Sequence, residues 1–205
     1  MLRSAETIER LLRALGEKMD LSKTQPLGLV VCGGAALNVA GIVSRPTIDI
    51  DVVALASGRA KSVSLEPAPA RLPDELRKCV SQVGADFGLD EQEAWINTGP
   101  RHLFEKGLPE GIENRLKIQN FGQRLRVYWV TDRRDMVCFK LYAAANRGAR
   151  QQQHVADLEA LAPSEEELEP AIEWCLTQND APDFKQDLKR LLADMGHEDL
   201  AYYIA

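Results

Sequence analysis

Histidine, cysteine and aromatic residues are scarce in this 205-residue chain, which has three His, four Cys and 6% Phe, Trp and Tyr. Cys32, Cys79, Cys138 and Cys175 lie far apart, with no Cys-x-x-Cys spacing and no histidine paired to them. That excludes a disulfide framework, a zinc ribbon and a redox dithiol. Set among apolar neighbours, the four are expected to be reduced core residues. No apolar run approaches the roughly 20 residues that a membrane-spanning helix needs. Positive charge is not in excess either: 25 Lys and Arg against 31 Asp and Glu give a net charge of −6. An acidic chain is not built for broad adhesion to DNA or to a membrane, although a local basic patch for RNA is compatible with it. Repeats and low-complexity tracts are missing. Met1-Leu2-Arg3-Ser4 leads into a charged amphipathic helix rather than a signal peptide, so a soluble, cytoplasmic protein without a membrane partner is expected.

What is present has ordinary globular composition, 45% hydrophobic and 27% charged, at a length suited to one domain with a helical extension. Residues 4–19 put Ile8, Leu11, Leu12 and Leu15 at helical spacing, with charges on the other face. Strands are expected over residues 27–32 and 47–55, separated by a short helix over 35–39. Residues 62–65 read as a short strand. Pro73 opens a helix over 74–85 with the stripe Leu76, Cys79, Val80 and Val83. Residues 87–112 have no clear period, and 95–100 read as a turn; an aperiodic segment this long is often functional. Residues 115–121 and 125–130 flank Gly122-Gln123-Arg124 as a hairpin.

From Asp132 onward the chain reads as helical. Asp132 caps one helix that Gly148 stops, and a second covers residues 151–161. Ser164 and Glu167 form a capping box for a third. Pro182 opens a fourth, striped by Phe184, Leu188, Leu191, Leu192 and Met195, and 199–205 read as a short apolar helix. The organisation is thus an α/β (α+β) region over 1–131 followed by a helical region over 132–205.

Chemistry concentrates in Leu29-Val30-Val31-Cys32-Gly33-Gly34-Ala35, continued by Arg45-Pro46-Thr47-Ile48-Asp49-Ile50-Asp51. Two such strands can pair parallel or antiparallel. Asp49 and Asp51, two apart, share one face of an extended strand, while Ile48, Ile50 and Val52 take the other. Neighbouring carboxylates repel unless a cation lies between them, and Mg²⁺ commonly takes one or two carboxylates plus substrate phosphates. The Gly33-Gly34 turn lets backbone amides approach an anion closely. Arg45 is in place to reach a phosphate. Farther on, Lys140 falls among Val137, Phe139 and Leu141, where a solvated lysine is not expected and a partner such as Asp157 is. Lys140 and Arg147, seven apart, share a helix face.

The Gly-Gly pair, the short helix and the Arg-x-Thr-x-Asp-x-Asp run resemble the core motif of the DNA polymerase β-like nucleotidyltransferase superfamily. Within it the chain is most similar to the bacterial abortive-infection, toxin-type nucleotidyltransferase-like group. That likeness continues through Phe139-Lys140-Leu141, Arg147 and His154-Val155-Ala156-Asp157-Leu158. It implies a nucleotidyltransferase-like mixed sheet flanked by helices and followed by a C-terminal helical bundle. It also implies Mg²⁺- or Mn²⁺-dependent transfer of a nucleoside monophosphate from an NTP to a hydroxyl of an RNA end such as tRNA, a protein or a small molecule. On this likeness Asp49 and Asp51 bind metal and are catalytic together with Lys140 and Asp157. Gly33, Gly34, Arg45, Thr47 and Arg147 bind nucleotide, and a cognate antitoxin is a partner. One departure stands out: the superfamily commonly carries a third acid on a later strand, yet residues 116–121 and 125–130 contain no Asp or Glu. That departure supports a rival reading, a nucleotide-binding or protein-interaction module that kept the fold and lost turnover.

Overall fold

A computed structural model describes residues 4–47, 49–59, 62–89, 94–146, 148 and 151–204. They form two compact units, one made of residues up to 105 with 111–131, the other of 106–110 with the residues from 132 onward. In the first unit, helix α1 (Ala5–Leu21) begins where the Ser4 hydroxyl accepts from the Thr7 amide at 3.2 Å. Its apolar stripe buries Ile8, Leu11, Leu12, Leu15 and Met19. Each such side chain contributes about 1.5–3 kcal/mol when fully withdrawn from water.

The sheet comprises β1 (Leu27–Cys32), β2 (Ile50–Ser57), β3 (Ser64–Pro67), β4 (Ile96–Asn97), β5 (Lys117–Phe121) and β6 (Leu125–Trp129). Its order is β3-β2-β1-β6-β5, with β4 also on β2. It is mixed, as the resemblance implies: β1–β6 and β2–β4 are parallel and the remaining pairs antiparallel. Alternation sends Leu29, Val31, Ile50, Val52, Val127 and Trp129 into one core with α1 and with Leu76, Cys79, Val80 and Val83 of α3 (Asp74–Asp86). Asp51 is therefore on the opposite face. β3 and β4 share one edge of β2, β3 pairing with Ala54 to Ser57 and β4 with Ile50 and Asp51.

Three expectations shift here. The second strand starts at Ile50 rather than 47; ahead of it Thr47 sits in an isolated bridge, and its hydroxyl donates to the Asp49 carbonyl at 3.3 Å. The Ile50 amide, which donates to the Trp95 carbonyl at 2.8 Å, opens the β2–β4 pairing. The short strand lies two residues later, at Ser64–Pro67. Residues 95–100 are not merely a turn: they hold β4 and then a 3₁₀ turn, Gly99–Arg101, that leads into α4 (His102–Glu105).

In the second unit, Asp132 caps α5 (Arg133–Ala145) by accepting from the Arg134 amide at 3.0 Å. α5 ends at Ala145, so Gly148 lies beyond the helix instead of stopping it. It is buried nearly all round, as a central helix must be. α6 (Gln151–Leu161), α7 (Glu165–Gln178) and α8 (Pro182–Asp194) complete the unit. Tyr142 packs against Trp174 and Phe184 with ring centroids 6.0 and 5.5 Å apart. Ser164 and Glu167 form the expected box, the Ser164 amide donating to Glu167 Oε2 at 2.9 Å. Arg133 grips the same carboxylate as a fork, at 2.5 and 3.0 Å, and this hydrogen bonding holds Glu167 below the usual carboxylate range. Residues 106–110 belong to this unit because Trp174 Nε1 and Gln178 Nε2 both donate to the Gly107 carbonyl, at 3.0 and 2.7 Å. The chain closes with a 3₁₀ segment, Glu198–Tyr203, whose Tyr202 is 90% exposed, rather than the apolar helix expected.

All four cysteines are free and buried, as expected. Among the described residues no helix is long and apolar enough to cross a membrane.

Candidate active site

The site is built where β1 gives way to the short helix α2 (Gly33–Val39). Gly33 has φ +72, which a residue with a Cβ adopts only under strain. A Cβ there would also lie 2.6 Å from Asp51 Oδ2. The Asp51 carboxylate therefore rests directly on the Gly33 backbone. Gly34 serves as a second close approach: a Cβ on it would sit 2.8 Å from Thr47 Oγ1 and 3.5 Å from Arg45 Nη2. Gly33, Gly34, Arg45, Thr47 and Asp51 thus meet at one end of the sheet, Thr47 buried and Arg45 half-buried.

Asp49 joins them through a residue that sequence reasoning missed. Asn97 Nδ2 donates to Asp49 Oδ2 at 2.9 Å and to Asp51 Oδ1 at 3.1 Å. One nitrogen serving both caps the gap between those oxygens at about 6 Å. The amide cannot be turned round without loss, because its Oδ1 accepts from the Gly99 amide at 2.7 Å. Asp49 stands one residue ahead of β2, so strand alternation alone does not align it with Asp51. The Asn97 amide completes the gathering. Its signal is positional: Asn97 lies opposite Asp51 in the parallel β2–β4 register, where a third acid was sought on longer strands.

Among the described residues no three His, Cys, Asp or Glu side chains group to hold a metal by themselves. Two converging carboxylates with an amide suit a Mg²⁺ ion that arrives with substrate phosphates, not one needing a complete protein cage. The atoms that would hold the ion are the carboxylate oxygens of Asp49 and Asp51; the Asn97 amide nitrogen only donates hydrogen bonds to them and gathers them.

The tightness at Gly33 yields a direct test. Gly33→Ala is expected to cost at least 1 kcal/mol, roughly, from backbone conformation alone, and to push the Asp51 carboxylate aside. Urea unfolding should show the loss. An unchanged midpoint would mean that the Gly33 contact does not constrain Asp51.

Within the second unit, Lys140 on α5 and Asp157 on α6 form an ion pair. Lys140 Nζ donates to Asp157 Oδ2 at 2.7 Å, and the residues are 4% and 1% exposed. Each satisfies a charge that burial would otherwise make costly. Arg147, assigned to nucleotide binding by resemblance, lies outside the described residues, as does Ile48.

A family described as Nucleotidyltransferase of unknown function (DUF6036) matches residues 9–151, from α1 through the whole sheet and α5. The chain belongs to this family. No curated protein and no solved structure matches it. The matched span of this nucleotidyltransferase family includes the glycine turn, both aspartates, Asn97 and Lys140, and stops short of Asp157.

Proposed function

We propose that the protein transfers a nucleoside monophosphate from an NTP to an acceptor hydroxyl, with Asp49 and Asp51 holding Mg²⁺ or Mn²⁺ together with the triphosphate. The observation that carries this reading is the convergence of both carboxylates on one amide nitrogen, against the Gly33 backbone. In nucleotidyl transfer the acceptor hydroxyl gives up its proton to solvent, its oxygen attacks the α-phosphorus, the bond to the β-phosphate breaks, and pyrophosphate leaves. Such a reaction needs little covalent help from protein; it needs positioning and neutralised charge. The metal would supply that neutralisation between the carboxylates and the phosphates. Arg45, beside Gly34, would add a cation to the triphosphate, and Gly33 and Gly34 let Asp51, Thr47 and Arg45 close in on that end of the sheet.

Asn97 gives the site two formal negative charges where a third acid would give three. Metal affinity without nucleotide should then be weak, so that metal and nucleotide bind as a pair. Membership of the polymerase β-like superfamily and its abortive-infection group, a tRNA or protein acceptor, an antitoxin partner, and roles for Lys140, Asp157 and Arg147 are inferred from motif resemblance. The same amide favours a second reading, a nucleotide-binding module without turnover.

Equilibrium titration with each of the four NTPs, with and without Mg²⁺, followed by pyrophosphate release, separates these. Mg²⁺-dependent binding with release supports transfer. Binding with no release for RNA, protein or small-molecule acceptors supports the module. No Mg²⁺-dependent binding of any NTP overturns both.

A further inference from the structure

We propose that the hollow where β1 enters the sheet is a binding site for a single phosphate group, free or at the end of a phosphomonoester. The assignment stands whether or not the transfer reading holds. The hollow is at the Leu27–Gly28 end of β1, whereas Asp51 pairs with Cys32 at the other end. It measures about 170 Å³ and lies wholly within the first unit. That is below the roughly 300–1,000 Å³ of drug-sized ligand pockets and suits one small group. Its lining comes from the start of β1, the end of β2 and the β5–β6 hairpin. It includes Arg124 and Arg126 and no acidic residue.

Two observations select a doubly charged oxyanion. First, both guanidiniums are fixed by neutral acceptors. Arg126 Nε donates to Asn120 Oδ1 at 2.9 Å and its Nη1 to the Gly58 carbonyl at 2.7 Å. Arg124 Nη1 donates to the Thr24 carbonyl at 2.5 Å. The Nη2 of each arginine has no hydrogen bond among the described residues, yet neither is sealed from solvent. Second, neither half-buried arginine forms an ion pair among the described residues, in a chain with 31 Asp and Glu. Asp20, which meets the same hairpin, accepts from the Gln123 amide at 3.2 and 2.9 Å and pairs with neither. Two uncompensated positive charges match the charge of about −1.5 to −2 on a phosphomonoester at neutral pH, where a carboxylate would match one. The planar guanidinium fork also fits phosphate oxygens.

The probe is inorganic phosphate, titrated calorimetrically without Mg²⁺ at constant ionic strength. Saturable binding of one ion per chain is expected. Asn120→Asp, at an exposed position, keeps the oxygen that accepts from Arg126 Nε and sets a carboxylate on that guanidinium. It should weaken phosphate binding about tenfold, while the thermal midpoint holds or rises. Arg124→Gln removes one of the two charges and should weaken binding by a similar factor. A parallel titration with glycerol phosphate identifies the carrier. Tighter binding than the free ion assigns a phosphomonoester, and equal or weaker binding assigns the free ion. Near-UV circular dichroism identifies any variant that has lost its native packing, and the other variant then decides. Unchanged affinity in either natively folded variant overturns the proposal, because the ion then binds elsewhere. Absence of saturable phosphate binding to the wild-type chain overturns it outright.

Discussion

Replacing Asp51 by asparagine is expected to lower Mg²⁺-dependent nucleotide binding and any pyrophosphate release by about 100-fold or more, a loss typical of removing one preorganised electrostatic partner. Stability should hold or rise. The substitution keeps the side chain's shape, so the packing of its carboxylate against Gly33 is preserved. It also removes one of two like charges held about 6 Å apart at most between the bonded oxygens. At an effective dielectric near 20 such a pair repels by roughly 2–3 kcal/mol, less where solvent screens it. Both residues are only half-buried, so the relief should be at the low end. Asp49→Asn should behave alike, since Asn97 ties the two carboxylates into one unit. Isothermal titration with NTP and Mg²⁺, run beside urea unfolding, checks both halves. Equal losses of binding and stability would make the pair structural, and no loss of binding would remove it from the site.

How much of this was legible depended on whether a residue's role is fixed locally. β1 was readable to the residue because Leu29-Val30-Val31 is a continuous apolar run, fully buried as a central strand requires. The helices of the second unit announced themselves through caps: Asp132 on α5, the Ser164–Glu167 box on α7, and Pro182 at the first turn of α8. Lys140 was readable as partnered because an ammonium amid Val137, Phe139 and Leu141 must be satisfied. Asn97 was not readable. A two-residue strand has no period, and its partners Asp49 and Asp51 lie 48 and 46 residues away. Only the β2–β4 register brings them together, and register is a tertiary fact. The start of β2 escaped for a smaller reason: an apolar run does not tell an isolated bridge, such as the one at Thr47, from the continuous strand that begins at Ile50.

The largest stability effect should come from Lys140 and Asp157. Lys140→Ala leaves a carboxylate that is 1% exposed without its ammonium. Breaking a buried pair in this way typically costs about 3–5 kcal/mol. That is a large part of the roughly 5–15 kcal/mol that holds a domain folded, so Lys140→Ala is expected to lower the thermal midpoint by many degrees. Asp157→Ala should do the same by stranding the ammonium. Removing both charges is a different experiment. In Lys140→Met/Asp157→Leu neither charge is left uncompensated, and stability should return to within about 1–2 kcal/mol of wild type. The double-mutant cycle would then show strong coupling between the two positions. This variant also settles what the single alanine cannot, because a poorly folded chain loses activity whatever Lys140 does. Resemblance gives Lys140 and Asp157 a part in the reaction; burial and the 2.7 Å bond give them a part in the fold. If the double variant is native by circular dichroism and turnover has fallen by orders of magnitude, the pair serves the chemistry as well. If turnover persists, Lys140 and Asp157 only pin α5 to α6, and the chemistry rests on the glycine turn, the two aspartates and the asparagine that joins them.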